Sequence, residues 1–111
     1  MFIETDLIQE IVHFEDFFSR MGFKRIDGSI FGLLVLANRP LTSEEIEETL
    51  QLSQSAVSLS LKTLGQIGAI ESRDSKSESK AKHHFAKEDS LAIVASVFRK
   101  REEEYAKKKI A

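Results

Sequence analysis

Three features of the chain predict a mainly α, α+β fold. Two capped helices are joined by a three-residue turn, a glycine stop leads into strand, polar stretch and strand, and long apolar-striped segments occupy both ends. Together they describe a winged helix-turn-helix, with 42–64 as the helix pair, 69–86 as the wing, and flanking helices over 3–21 and 87–109 that are expected to dimerise. The 111 residues suit one domain, so the reading takes 1–111 as a single unit.

The first helix, about Glu4 to Arg20, carries Leu7, Ile8, Ile11, Phe14, Phe18 and Met21 at helical spacing, and Val12 and Phe17 widen the stripe beyond one face. A small domain has little core in which to hide four Phe at 2, 14, 17 and 18. One side is therefore expected on its own domain and the other on a second subunit, with Ile11, Phe14 and Phe18 as interface candidates. The second helix is expected to run from an Asp27 cap, stapled by Ile26 and Phe31, to about Ala37. It is nearly all apolar, the central core element, and Asn38-Arg39-Pro40 ends it.

In the helix pair, Thr42 and Glu45 form a reciprocal capping box, and Leu41 and Ile46 form the hydrophobic staple beside it. Gln51-Leu52-Ser53 is a turn short enough to force a steep crossing. Ser53 caps the next helix, with Leu52 and Val57 as its staple. Val57, Leu61 and Leu64 recur at i, i+4 and i+7 as a core stripe. Off that stripe lie Gln54, Ser55, Ser58, Leu59, Lys62 and Thr63. Small side chains let the backbone approach a groove, Gln and Ser exchange hydrogen bonds with base edges, and Lys62 reaches a phosphate. With Ser53 they are the candidate DNA-binding residues of this helix, against the alternative of a merely solvated surface.

Gly68 is a natural left-handed helix stop, followed by Ala69 to Arg73 as a strand and His83-His84-Phe85 as its partner. Residues 74–82 between them are Ser/Lys-rich with no apolar anchor. Arg73, Lys76, Lys80 and Lys82 are the candidate phosphate contacts of this wing. The last helix, about Lys87 to Lys109, aligns Leu91, Val94, Ala95, Phe98 and Tyr105 and then turns almost entirely charged. At 1.5 Å per residue it runs roughly 30 Å, longer than one small domain needs. Leu91, Val94, Phe98 and Tyr105 are its interface candidates, and Lys107 to Lys109 compensate the helix dipole.

Over residues 3 to 100 the chain resembles the winged-helix regulators of the MarR superfamily, specifically the GbsR-like branch. The run Met21-Gly22-Phe23-Lys24-Arg25-Ile26-Asp27-Gly28-Ser29-Ile30-Phe31-Gly32-Leu33-Leu34-Val35-Leu36 looks like that family's helix end, glycine turn, Arg and apolar helix. Pro40 to Ile46, Ser53 to Ser58 and Leu64 to Ile70 match its helix-turn-helix and its exit into the wing, although Lys24 stands where the family often has Pro. The resemblance implies a dimeric transcription regulator of bacteria or archaea, in the first instance a repressor. Double-stranded DNA, a second copy and a small-molecule effector such as choline would be its partners.

Composition excludes much else. The chain is 41% hydrophobic and 31% charged, as expected of a soluble globular protein. No apolar run approaches the ~20 residues of a membrane helix and no secretory signal opens the chain, so a cytoplasmic location and no membrane partner are expected. Without Cys there is no disulfide and no thiolate site. His13 sits beside an apolar stripe, and His83 and His84 point to opposite faces of a strand, so no metal or other cofactor is expected. No phosphate loop, nucleophile elbow or helical His-Glu pair is present, so neither catalytic residues nor an enzyme are expected.

A net charge of −2 argues against nucleic acid. Its distribution argues back, because residues 1–52 carry −6 while 53–86 and 87–111 carry +2 each. The acidic start of the first helix of the pair keeps a second function open, a winged-helix adaptor or antirepressor that binds protein and not DNA.

Overall fold

The computed structural model describes residues 5–74 and 81–110, so the expected contacts of Lys76 and Lys80 lie outside the described residues. The order is α1 (Thr5–Arg20), α2 (Arg25–Ala37), β1 (Leu41–Thr42), α3 (Ser43–Leu50), α4 (Gln54–Gln66), β2 (Ile70–Asp74), β3 (Lys82–Ala86) and α5 (Ser90–Ile110). The three strands form one antiparallel sheet in the order β1-β3-β2. This is the α+β winged helix-turn-helix expected from the sequence.

Strand β1 was not foreseen. Leu41 and Thr42 pair with His84 and His83 while Thr42 also caps α3, so two residues serve the sheet and the helix start together. The capping box is present: Glu45 N donates to Thr42 Oγ1 at 3.2 Å and Thr42 N donates to Glu45 Oε1 at 3.1 Å. Leu41 and Ile46 beside it are fully buried, as a staple requires.

Helix α2 corrects the sequence reading. It begins two residues before the expected Asp27 cap, with Lys24 as the N-cap. Asp27 caps in reverse, its Oδ2 accepting from Lys24 N at 3.2 Å. An Asp in the first turn satisfies an orphan N–H and the helix dipole equally well, which is why the sequence alone placed it at the wrong end of the box. The carboxylate is buried, and its Oδ1 accepts from the buried Ser60 hydroxyl of α4 at 2.6 Å. The expected end is correct, since Asn38 closes α2 in the left-handed region at φ 57°.

The core is aromatic where α1 crosses α2. The Phe18 and Phe31 rings lie 5.4 Å apart, with Phe14 edge-on to Phe31 at 5.8 Å and Phe23 against Phe18 at 5.6 Å. Gly28 permits the crossing: a Cβ there would stand 2.5 Å from the Phe14 carbonyl oxygen. A single buried Phe contributes about 1.5–3 kcal/mol, so this cluster anchors α1 to the domain. Ser29 donates to Glu15, and Arg25 approaches Glu15 and Asp16, on the flank of the same crossing.

Helix α5 packs by its first half, burying Val94 and placing the Phe98 ring 5.8 Å from Phe17. Arg101 ends that contact, donating to the Met21 carbonyl at 2.5 Å and lying over the Phe23 ring at 4.1 Å. From Arg101 to Lys108 every residue is exposed, and the long axis of the molecule reaches 56 Å against 30 and 25 Å.

Candidate nucleic-acid interface

Helix α4 is held from both ends and from beneath. Ser53 Oγ accepts from Ala56 N at 3.2 Å, Gln51 turns the chain in the left-handed region, and Gly68 at φ 80° releases it into β2. Val57 and Leu64 are fully buried and Ser60 is tied to Asp27. At about 100° per residue, that inward face leaves Ser55, Ser58, Leu59, Lys62 and Gln66 pointing outward, all exposed. Leu59 keeps 54% of its surface. The helix contains no Asp or Glu, and Lys62 is its single charge.

The remaining candidates on the helix divide by role. The Ser53 hydroxyl is engaged as the cap. Gln54 and Ser58 line a groove of 360 Å³ on the wing side, with Ser43, Glu44, Glu47, Lys82 and His84. Thr63 faces the other flank, its hydroxyl donating to the Leu59 carbonyl at 3.2 Å. Gln66 joins the outward face without having been expected there, because it lies past the last core residue, where periodicity gives no signal.

The wing separates its own candidates. Side chains alternate across the ribbon, so Lys82 and His84 face α4, whereas Arg73 lies on the opposite face with its guanidinium 4.5 Å over the Phe85 ring. His84 joins the pieces. Its Nδ1 lies 2.6 Å from Ser72 Oγ on β2 and its Nε2 3.2 Å from Ser43 Oγ at the start of α3, so one imidazole ties both strands of the wing to the helix pair. Burial, with Lys82 and His83 nearby, holds its pKa below the ordinary histidine value against a small opposing effect of Glu44.

Acidic groups near the site are partly engaged. Arg39 pairs with Glu45 at 2.7 Å and pulls that carboxyl below its usual range. Lys87 approaches Glu71 at 3.7 Å. Glu44 and Glu47 remain on the wing-side groove.

A capped helix pair, a sheet of order β1-β3-β2 with a two-strand ribbon after the second helix, and a helix leading away from it decide the architecture. The chain has the winged helix-turn-helix fold. The sequence model of the bacterial regulatory proteins of the arsR family matches residues 33–72, the end of α2 through the first wing strand. A solved transcriptional regulator shares the fold at 19% identity and TM-score 0.73, over 83% of this chain; the chain spans 63% of that protein's length. A MarR family transcription regulator matches at 22% identity and TM-score 0.62, over 95% of this chain and 68% of its own. A mutant of MepR from S. aureus, solved bound to an oligodeoxyribonucleotide, matches at 17% identity and TM-score 0.62, over 95% of this chain and 74% of its own. A search of curated proteins gives no match.

The interface candidates at the two ends also divide. Ile11, Phe18 and Val94 are buried within the chain, Phe14 and Phe98 are half-buried, and Leu91 and Tyr105 are 58% and 62% exposed. Val12 and Phe17, at 39% and 38%, add apolar surface on α1.

Proposed function

We propose that this chain is a homodimeric, sequence-specific DNA-binding transcriptional regulator, acting as a repressor in the cytoplasm, and not an enzyme. The observation that carries the reading is the outward face of α4. It holds short polar side chains, one lysine, one exposed leucine and no acid, on a helix fixed by a cap, a core stripe and the Asp27–Ser60 bond. Such a face suits the major groove: Ser and Gln meet base edges, Leu59 offers apolar contact to a thymine methyl, and Lys62 meets a phosphate. The wing contributes Lys82 on the same side, and the phosphate contacts expected of Lys76 and Lys80 belong to the same proposal. The likeness of fold to MepR, solved bound to an oligodeoxyribonucleotide, supports this reading.

Dimerisation rests on α5, which outreaches its domain by two exposed turns, and on the apolar surface of Val12, Phe17, Leu91 and Tyr105. A two-fold dimer would set two α4 helices about 34 Å apart, one turn of DNA. The MarR resemblance adds a small-molecule effector as a further partner.

A second reading, a protein-binding adaptor, is favoured by one observation: Glu44 and Glu47 line the groove beside Gln54 and Ser58. Gel shift at low salt against mixed genomic fragments separates the two. The regulator retards a subset of fragments, and the adaptor retards none.

A further inference from the structure

Two grooves flank α4, and they differ in charge. Residues 54, 58 and 61 line the wing-side groove, and 56, 59, 60 and 63 line the other, so the two lie on opposite flanks, about 180° apart around the helix axis. The wing-side groove sets two acids, Glu44 and Glu47, against one lysine, Lys82. The opposite groove, 300 Å³ between α4 and the α1–α2 turn, contains Lys24 and Asp27 as its charged residues. Asp27 is 4% exposed and both its oxygens already accept hydrogen bonds. What this groove presents to the outside is therefore the Lys24 ammonium, with the Thr63 side chain and the Leu59 edge on the other wall.

We infer that this second groove is a contact for the DNA phosphate backbone, made by Lys24 across the major groove from the wing. The inference rests on the proposal that α4 reads DNA, and it adds a contact that neither the helix pair nor the wing supplies. When a helix lies in a major groove, both bounding backbones run along its flanks, so a cation is useful on each side. The wing supplies one flank. On the other, Lys24 is exposed, and among the described residues no ion pair engages it, while its neighbour Arg25 is directed to Glu15 and Asp16.

The turn that carries Lys24 is fixed. Gly22 sits in the left-handed region at φ 86°, and Arg101 of α5 holds the Met21 carbonyl and covers Phe23. Gly22 also borders a smaller groove with Arg20, Arg101 and the acid Glu102, so the positive surface continues past the turn with one carboxylate in it. Arg101 is a positioning residue in this account, and Lys24 makes the contact.

The test is a salt titration by fluorescence anisotropy, using the full chain and a labelled duplex of mixed sequence. Wild-type protein, Lys24→Gln, Lys24→Glu and Lys100→Gln are compared. Lys100 is another exposed cation, on α5 and outside the lining of both grooves. Thermal melts by circular dichroism check that each variant is folded, as expected for changes at exposed side chains.

In the proposed dimer, loss of one phosphate contact per protomer removes two contacts and flattens the slope of log K against log salt by about 1.8. Lys24→Gln should thus lose about twelvefold less affinity than wild type for a fourfold rise in salt. Lys24→Glu should bind more weakly still, and Lys100→Gln should match wild type. The inference is overturned if both Lys24 variants keep the wild-type slope, or if Lys100→Gln flattens it as much. Absence of wild-type binding at low salt overturns the DNA reading itself, and this contact with it, so the two failures are distinguishable in one experiment.

Discussion

Gly28 and Gly65 both lie inside helices, and replacing each with alanine should move stability in opposite directions. At either site alanine gains up to about 1 kcal/mol of helix propensity, chiefly by restricting the unfolded chain. Gly65, in the last turn of α4, has no atom within 4 Å of where a Cβ would stand, so the gain survives, reduced because a terminal turn frays. At Gly28 a Cβ would lie 2.5 Å from the Phe14 carbonyl oxygen, 2.7 Å from Glu15 Cα and 2.8 Å from the Phe14 carbonyl carbon. These are backbone atoms of α1 and cannot rotate aside. Restoring carbon contacts to their usual 3.5–4.0 Å requires α1 to move off α2 by on the order of 1 Å, which opens the Phe14–Phe18–Phe31 cluster. Overpacking of this kind costs about 1–3 kcal/mol and sometimes more, so it outweighs the propensity gain. For a domain near 100 residues each kcal/mol shifts Tm by about 4–8 °C. Gly28→Ala should therefore melt about 5–15 °C below wild type and Gly65→Ala about 2–5 °C above it. Circular dichroism melts at one fixed protein concentration, which keeps any association term constant, measure both. A Gly28→Ala protein melting at or above wild type would refute the close α1–α2 approach on which this argument depends.

Phe98→Asp places a charge where α5 meets Phe17 and should shift light-scattering mass from dimer toward monomer or aggregate; a wild-type mass of one chain at tens of micromolar removes the dimer proposal. His84 titrates below its ordinary value when folded, so the unfolded chain takes the proton first. The stability that neutral His84 contributes is present in full above about pH 6.5 and is lost as pH falls through the folded value. Urea midpoints should drop over that window, and His84→Gln should flatten the drop. Changing Lys76, Lys80 and Lys82 to Ala should weaken binding to operator and random DNA in parallel and flatten the salt slope by up to about three contacts per protomer. An unchanged slope would mean the wing does not touch DNA.

What was legible in the sequence followed from local chemistry. The Thr42–Glu45 box, the Ser53 cap, the Gln51 turn and the Gly68 stop each state their role within four residues, and the structure contains all of them. Asp27 was misread because an acid serves both at a cap and in a first turn, and only the tertiary bond to Ser60 explains its burial. Strand β1 was invisible because two residues carry no period and are paired by a partner some forty positions away. At the site, periodicity gave the outward face of α4, but which side of the ribbon Arg73 or Lys82 occupies depends on strand register, which the sequence leaves open by one residue. Lys24 was passed over for a related reason. The contact proposed for it depends on its lying across a groove from Thr63, and nothing near it in the chain records that placement.

The net charge of −2 is the strongest objection to the proposed DNA binding, and it counts several groups that the structure engages internally. Several carboxylates of the acidic half are engaged internally: Glu45 by Arg39 and the Thr42 N–H, Asp27 by Lys24 N and Ser60, and Glu15 and Asp16 by Arg25. Screening at physiological salt confines exposed charges to about 8 Å, so a backbone running beside α4 responds to the groups on that helix and its two flanks. Those groups are Lys62, Lys24 and Lys82, opposed on the wing side by Glu44, Glu47 and Asp74, the cross-strand partner of Lys82. The local balance is positive on the outward face and on the turn flank, and contested on the wing flank. On this account the wing lysines offset the α3 glutamates before they add affinity, and the flank with no exposed acid, the one that carries Lys24, makes the less opposed contact.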